Sequence, residues 1–228
     1  MERPQRKALA TAGIAIVAVG LTACTKTEIR PTQTSTSTTS VIVTSTVPAT
    51  PTTSAAGAGN PVGPGCADYE QQVPTGPGSI AGMAKDPVAI AVSNNPQLTT
   101  LTQALSGKLN PEVNLVDTLN KGVYTLFAPT DKAFQKLDPA TMDRFKADGH
   151  FLNSILTYHL VNGQLTPAQV DGVHQTVDAD TTLTVTGTAN DLKVNDAGVV
   201  CGGISTTNAQ VYMIDTVLIP PPLPIPAP

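Results

Sequence analysis

The order of apolar patterns along the chain predicts an α+β fold. Three observations carry this. Helical spacing of apolar residues dominates from residue 79 to 159, and period-two alternation takes over from 175 to 219. The two ends are too poor in large apolar groups to join a core. The 228 residues are 40% hydrophobic, enough for one ordinary core, but 20 prolines, 18 glycines and no tryptophan confine that core to part of the chain. A formal net charge of −4 with no basic run excludes nucleic-acid binding, which needs clustered Lys and Arg to neutralise phosphate.

Arg3, Arg6 and Lys7 make a positive N-terminus, and Ala8–Gly20 is an uncharged apolar run, shorter than the roughly 20 residues a spanning helix needs. Leu21-Thr22-Ala23-Cys24 follows. This is similar to the lipobox of bacterial lipoproteins, where the Cys thiol is joined to diacylglycerol and the chain is cut before it. Residues 1–23 are therefore expected to be a lipoprotein signal peptide and Cys24 a lipidated N-terminus on the outer face of the cell membrane. An ordinary signal with an incidental Cys is the alternative. Residues 1–23 hold three basic residues and one acidic residue of the 13 and 17 in the chain, so the remainder carries −6. Acidic protein is not drawn to an anionic surface, which leaves anchoring to two or more acyl chains.

Residues 24–65 read as a disordered stalk. Thr32–Ser54 is dominated by Ser and Thr with scattered Pro, and such a composition buries too little apolar surface to offset ordering entropy. Extended at about 3.1 Å per residue, the segment reaches on the order of 120 Å. Its composition also points to O-glycosylation. Val41-Ile42-Val43, its one apolar patch, reads as a β-prone triplet in a linker. Of three cysteines, Cys66 and Cys201 remain once Cys24 is lipidated, and in an oxidising exterior such a pair is expected to bridge. Two free buried thiols are the other possibility.

The folded domain is expected over 66–220. Ser79–Met83 and Asp86–Val92 read as short helices, the second with Asp86 as N-cap and Pro87 at its first position. Pro96–Leu105 places Leu98, Leu101 and Leu105 on one face, and Gly107 ends it. Asn114–Leu119 is a further helical turn. Val123–Ala128 has the β-branched and aromatic density of a buried strand, burying Val123, Leu126 or Phe127. Thr130 or Asp131 then caps a helix that buries Phe134. Pro139–Ala147 and His150–His159 follow as helices, the latter with Phe151, Leu152, Ile155 and Tyr158 in a stripe. Gln175–Val177, Thr181–Thr186, Leu192–Val194, Val199–Val200, Ile204–Thr206 and Val211–Ile219 read as antiparallel strands, with a hairpin turn at Asn195–Gly198. Asp215 stands as a charge in an apolar strand, expected to accept backbone N–H groups or to face solvent. Residues 221–228 form a Pro-rich tail expected to be extended.

Several of these segments carry a resemblance. Thr125-Leu126-Phe127-Ala128-Pro129-Thr130-Asp131-Lys132-Ala133-Phe134 resembles the first signature motif of fasciclin (FAS1) domains. Leu156–Val161 resembles that family's Tyr-His motif, and Val211–Pro220 resembles its second signature. Together with the lipobox, the Ser/Thr/Pro segment and the two cysteines, the chain resembles mycobacterial surface lipoprotein antigens with one such domain. The resemblance implies a single fasciclin-like domain, a β-sandwich-like wedge with flanking helices and no cofactor, in an extracellular adhesion or interaction module. In some animal members the Tyr-His dipeptide is implicated in partner binding, which makes Tyr158 and His159 candidate contact residues. A His159 bonded inside the fold, ordering a loop, is the alternative. The two signatures themselves read as core and caps.

Catalytic and metal readings find little support. His150, His159 and His174 match no zinc spacing and no HExxH, no GxSxG elbow is present, and Asp178 and Asp180 lack the rest of a calcium loop. The expected protein is a monomeric, non-enzymatic, lipid-anchored surface module without metal or cofactor. Its partners are expected to be proteins or glycans of a host matrix or of the cell envelope. A carrier for a small apolar ligand or lipid is the alternative, and a shed form is compatible with either.

Overall fold

The computed structural model describes residues 60–178 and 181–221. The signal segment with Cys24, the Ser/Thr/Pro segment up to residue 59 and tail residues 222–228 lie outside the described residues.

The strand rich in β-branched and aromatic residues, β1 (Tyr124–Pro129), lies in the middle of the architecture, buried from Thr125 onward. Before it come five helices: α1 (Cys66–Gln72), α2 (Ile80–Met83), α3 (Val88–Asn94), α4 (Thr99–Leu105) and α5 (Val116–Lys121). After it come α6 (Asp131–Gln135), α7 (Pro139–Ala147) and α8 (Gly149–Tyr158). The remaining strands are β2 (Leu160–Asn162), β3 (Gly172–Gln175), β4 (Thr182–Thr186), β5 (Lys193–Val194), β6 (Ala197–Ser205) and β7 (Ala209–Ile214). They make one sheet in the order β2-β1-β7-β6-β5-β4-β3. Its C-terminal strands pair antiparallel, as expected, but β1 inserts parallel to β7, with Tyr124 opposite Ala209 and Pro129 opposite Ile214.

Because β1 and β7 are covered on both faces, their alternating side chains feed two cores. Leu126, Ala128, Val211 and Met213 face the helices and pack with Leu98, Leu101, Leu119 and Phe145. Phe127, Tyr212 and Ile214 face the other way, into a core closed by Leu183, Val185, Val194 and Val199 of the strands that fold over them. Phe127 and Tyr212 stack with ring centroids 5.5 Å apart. Leu126 and Phe127 are thus both buried, on opposite faces, whereas Val123 lies before the strand and is exposed. The sandwich-like wedge implied by the resemblance is this second core between the two halves of the sheet.

Several helix starts follow local chemistry. Ser79, Thr130, Asp138 and Asp148 accept the N–H groups of Gly82, Ala133, Thr141 and Phe151. Two are capped from far away instead. Asp86 lies two residues before α3, with Pro87 at the N-cap, and the Val88 N–H is accepted at 2.9 Å by Oδ1 of Asn208, in the β6–β7 turn. Asn208 also donates to the carbonyls of Leu119 (2.7 Å) and Gly122 (2.8 Å) at the end of α5. The start of α4 is capped by Asp131, which accepts from the Thr100 N–H (2.7 Å) and the Thr99 hydroxyl (2.8 Å). In the first signature motif, Thr130 therefore caps its own helix while Asp131 caps another.

Three further differences have structural causes. Val199–Val200 and Ile204–Ser205 belong to one strand, β6, which ends before Thr206 and is interrupted by register shifts that Gly203 (φ 69°) accommodates where an L side chain would be strained. Residues 66–72, which precede the first helix expected from the sequence, form α1, docked by buried Tyr69, whose hydroxyl donates to the Gly78 carbonyl. The chain joins the fold before Cys66: Val62 and Gly202 exchange both backbone bonds (2.9 and 2.7 Å), and the Gly65 N–H bonds Val200 (2.8 Å), covering β6 where β5 has ended. The β5–β6 hairpin turns at Asn195-Asp196, with Asn195 in the left-handed region (φ 50°).

Candidate functional site

Tyr158 and His159 sit at the C-terminal end of α8, where the apolar stripe of that helix delivers them into the interior. Both are 1% exposed. The Tyr158 hydroxyl donates to the Thr182 carbonyl (3.1 Å) and accepts from Asn195 Nδ2 (3.0 Å). Nε2 of His159 accepts the Leu218 N–H (3.0 Å), which leaves the ring proton on Nδ1 to donate to the Ile155 carbonyl (2.7 Å). Burial depresses the imidazole from 6.5 to about 4, although the bond to Ile155 works the other way. His159 is therefore a neutral internal clamp between α8 and the segment after β7, and Tyr158 ties the same helix to β4 and the β5–β6 turn. A partner cannot touch either side chain without opening the domain, so the direct-contact expectation gives way to the internal one. A buried, hydrogen-bonded imidazole on an apolar helix face is the physical reason.

Cys66 and Cys201 are joined in a disulfide with Cα atoms 4.8 Å apart, fastening α1 to β6 across 135 residues of sequence. Beside this staple the two signature segments come together. Asp215, just past β7, accepts the Gly198 N–H at 2.9 Å and pairs with Lys136, at the end of α6, at 3.1 Å. Partial burial raises its carboxyl, but the bonds from Lys136, Gly198 and Thr216 outweigh it and hold the group below the ordinary carboxylate value. It does both things expected of it, accepting a backbone N–H and facing solvent. Asp131 is likewise held low, burial being outweighed by the Thr100 and Thr99 bonds.

The facing surfaces of α1, α6 and β6 leave a cleft of about 240 Å³, lined by Asp68, Gln72, Gln97, Lys132, Lys136 and Asp215 among others. Its floor includes the buried Tyr69 and Thr130. No local pattern points to this site, since its walls come from segments more than 140 residues apart. Among the described residues no three His, Cys, Asp or Glu side chains gather into a metal site.

Comparison with known proteins bears on the chain as a whole. Residues 96–220 match the Fasciclin domain family model. The chain is 56% identical over 222 residues to the cell surface glycolipoproteins MPB83 of Mycobacterium bovis and MPT83 of Mycobacterium tuberculosis, covering 95% of this chain and 97% of each relative. It is 60% identical over 173 residues to the immunogenic protein MPB70 of Mycobacterium bovis, covering 76% of this chain and 89% of that one. The structure of a FAS1 domain pair from the insect cell adhesion molecule Fasciclin I superimposes with a TM-score of 0.52 at 21% identity, over 60% of this chain and 52% of that one.

Proposed function

Since the chain belongs to the fasciclin domain family, we propose that it is a lipid-anchored, non-enzymatic interaction module of the cell surface, fixed by acylated Cys24 and engaging proteins or glycans of a host matrix or of the envelope. The carrying observation is the extent of the likeness to cell surface glycolipoproteins. At 95% coverage, at most about 11 residues of this chain fall outside the alignment, so the segment holding Cys24 lies within it. A glycolipoprotein relative supports acylation at the one cysteine that the disulfide does not use, and Ser/Thr-rich composition supports glycosylation between Cys24 and the domain. The carrier reading receives less support. The apolar groove between α3, α4 and α5 offers about 170 Å³, below the ~300 Å³ at which drug-sized ligand sites begin.

The test is metabolic labelling with a fatty acid in the producing cells, with intact mass of the purified protein and capture of matrix or envelope components on it. Wild-type protein should take up label and begin at Cys24, and Cys24→Ala should not be labelled. Label retained by Cys24→Ala would refute the anchor. Capture of nothing from host matrix or envelope, with anchoring intact, would refute the interaction role alone.

A further inference from the structure

The cleft between α1, α6 and β6 is lined by two aspartates and two lysines, Asp68, Asp215, Lys132 and Lys136. Lys136 and Asp215 neutralise one another across it at 3.1 Å. Asp68 on α1 and Lys132 on α6 line the same cleft, and among the described residues neither makes an ion pair or a side-chain hydrogen bond. One uncompensated anion and one uncompensated cation thus face a common space. In the same cleft Gln97 Nε2 donates to Gln72 Oε1 at 3.3 Å. That bond uses one donor and one acceptor, leaving the Gln72 amide N–H groups and Gln97 Oε1 to bond a ligand.

We propose that this cleft binds a short peptide segment carrying both a free ammonium and a free carboxylate, with Asp68 taking the ammonium, Lys132 the carboxylate, and Gln72 and Gln97 the peptide backbone between. The proposal gives a partner chemistry to the surface-interaction role above and rests on it. Charge selects this class. A ligand of a single sign would meet a like charge at one end, whereas a zwitterion satisfies both. The free amides supply the donor and acceptor that a peptide unit requires. A sugar would seek an exposed aromatic platform, and Tyr69, the ring at this cleft, is 1% exposed. A volume of about 240 Å³ is itself below that of drug-sized ligand sites, so it limits the occupant to a few small residues and shuts out a folded partner or a lipid chain. The walls are held in place. The Cys66–Cys201 bridge and the Tyr69–Gly78 bond fix α1, and Thr130, bonded to the Ile214 carbonyl at 3.2 Å, fixes the start of α6. Little ordering remains to be done on binding.

The experiment is amide chemical-shift titration of the ¹⁵N-labelled full chain in detergent micelles with trialanine, beside N-acetylated, C-amidated and doubly blocked trialanine. Shifts should centre on Gly65, Asp68, Gln72, Gln97 and Lys132, and blocking either end should weaken binding about tenfold, the loss of one charge-assisted contact. Lys132→Gln should weaken the free peptide about as much and make amidation immaterial, and Asp68→Asn should do the same for acetylation. Both positions are exposed, so unchanged spectra elsewhere will show that the fold is kept. Equal affinity for free and blocked peptides, no shifts at millimolar peptide, or shifts centred elsewhere would overturn the proposal. Labelling and capture in the preceding test are independent of these shifts, so this cleft can fail while the surface role stands.

Discussion

Acidification should weaken the domain through one residue, His159. In the unfolded chain its imidazole titrates near the ordinary 6.5, and in the folded domain burial holds it to about 4. Between those values the unfolded chain binds a proton that the folded one refuses, so stability is full above about pH 6.5 and falls as the pH drops toward 4. At 1.36 kcal/mol for each pH unit of the gap, the loss approaches about 2 kcal/mol by pH 5 and about 3 kcal/mol by pH 4. Both carboxylates of the signature segments lie outside this window. Asp131 and Asp215 are held below their ordinary 3.8, so their contributions are present above that value and are lost as the pH falls through the lowered ones. The assay is urea unfolding followed by far-ultraviolet circular dichroism at several pH values from 7.5 to 4.5, for wild type and for His159→Gln. Wild type should lose stability with a slope nearing one proton, and the variant, weaker at neutral pH, should show a shallower curve by that amount. A flat wild-type profile from 6.5 to 4.5, or a variant with the wild-type slope, would refute the reasoning.

Asn208→Ala leaves the Val88 N–H and the Leu119 and Gly122 carbonyls without their partner; it should cost about 2–3 kcal/mol in urea unfolding, with amide exchange accelerated at the start of α3 and the end of α5. Asp131→Ala removes the cap of α4 rather than of α6 and should cost about 1–2 kcal/mol, loosening the amides of Thr99 and Thr100 while leaving Ala133 protected. Reduction of Cys66–Cys201 should lower stability by about 2–4 kcal/mol without unfolding the domain, because Tyr69 still docks α1 and both cores remain; thermal melts with and without reductant check this, and an unchanged melting temperature would contradict it.

How much of this was legible in the sequence depended on the range of the interactions. Helices announced by spacing, such as Pro139–Ala147, or by an adjacent cap, such as Thr130 or Asp131 before α6, were readable because a local cap and the N–H it accepts lie three residues apart. The Asn195 turn was readable for the same reason. Asp86 illustrates the limit. As the acidic residue nearest Pro87 it satisfies the local rule for an N-cap, yet Asn208, 120 residues downstream of Val88, takes the role because the β6–β7 turn folds against α3. The strand β2, three residues long, and the helix α1, with one buried aromatic, carried too few residues for a period to show.

By itself, then, the sequence determined the α+β class, the alternating order within β1 and β7, the signature segments and the cysteines available to pair, since each rests on side-chain chemistry or on a period of two or 3.6. The tertiary structure alone decided that β1 runs parallel to β7, that this leaves two cores rather than one, and that Tyr158 and His159 turn inward. It also brought Asp68, Gln97, Lys132 and Asp215 around one cleft. These are outcomes of which distant surfaces bury one another. No local propensity encodes them, because loop closure over a hundred residues adds little entropy that depends on sequence, while the apolar area covered when sheet and helices meet decides the arrangement.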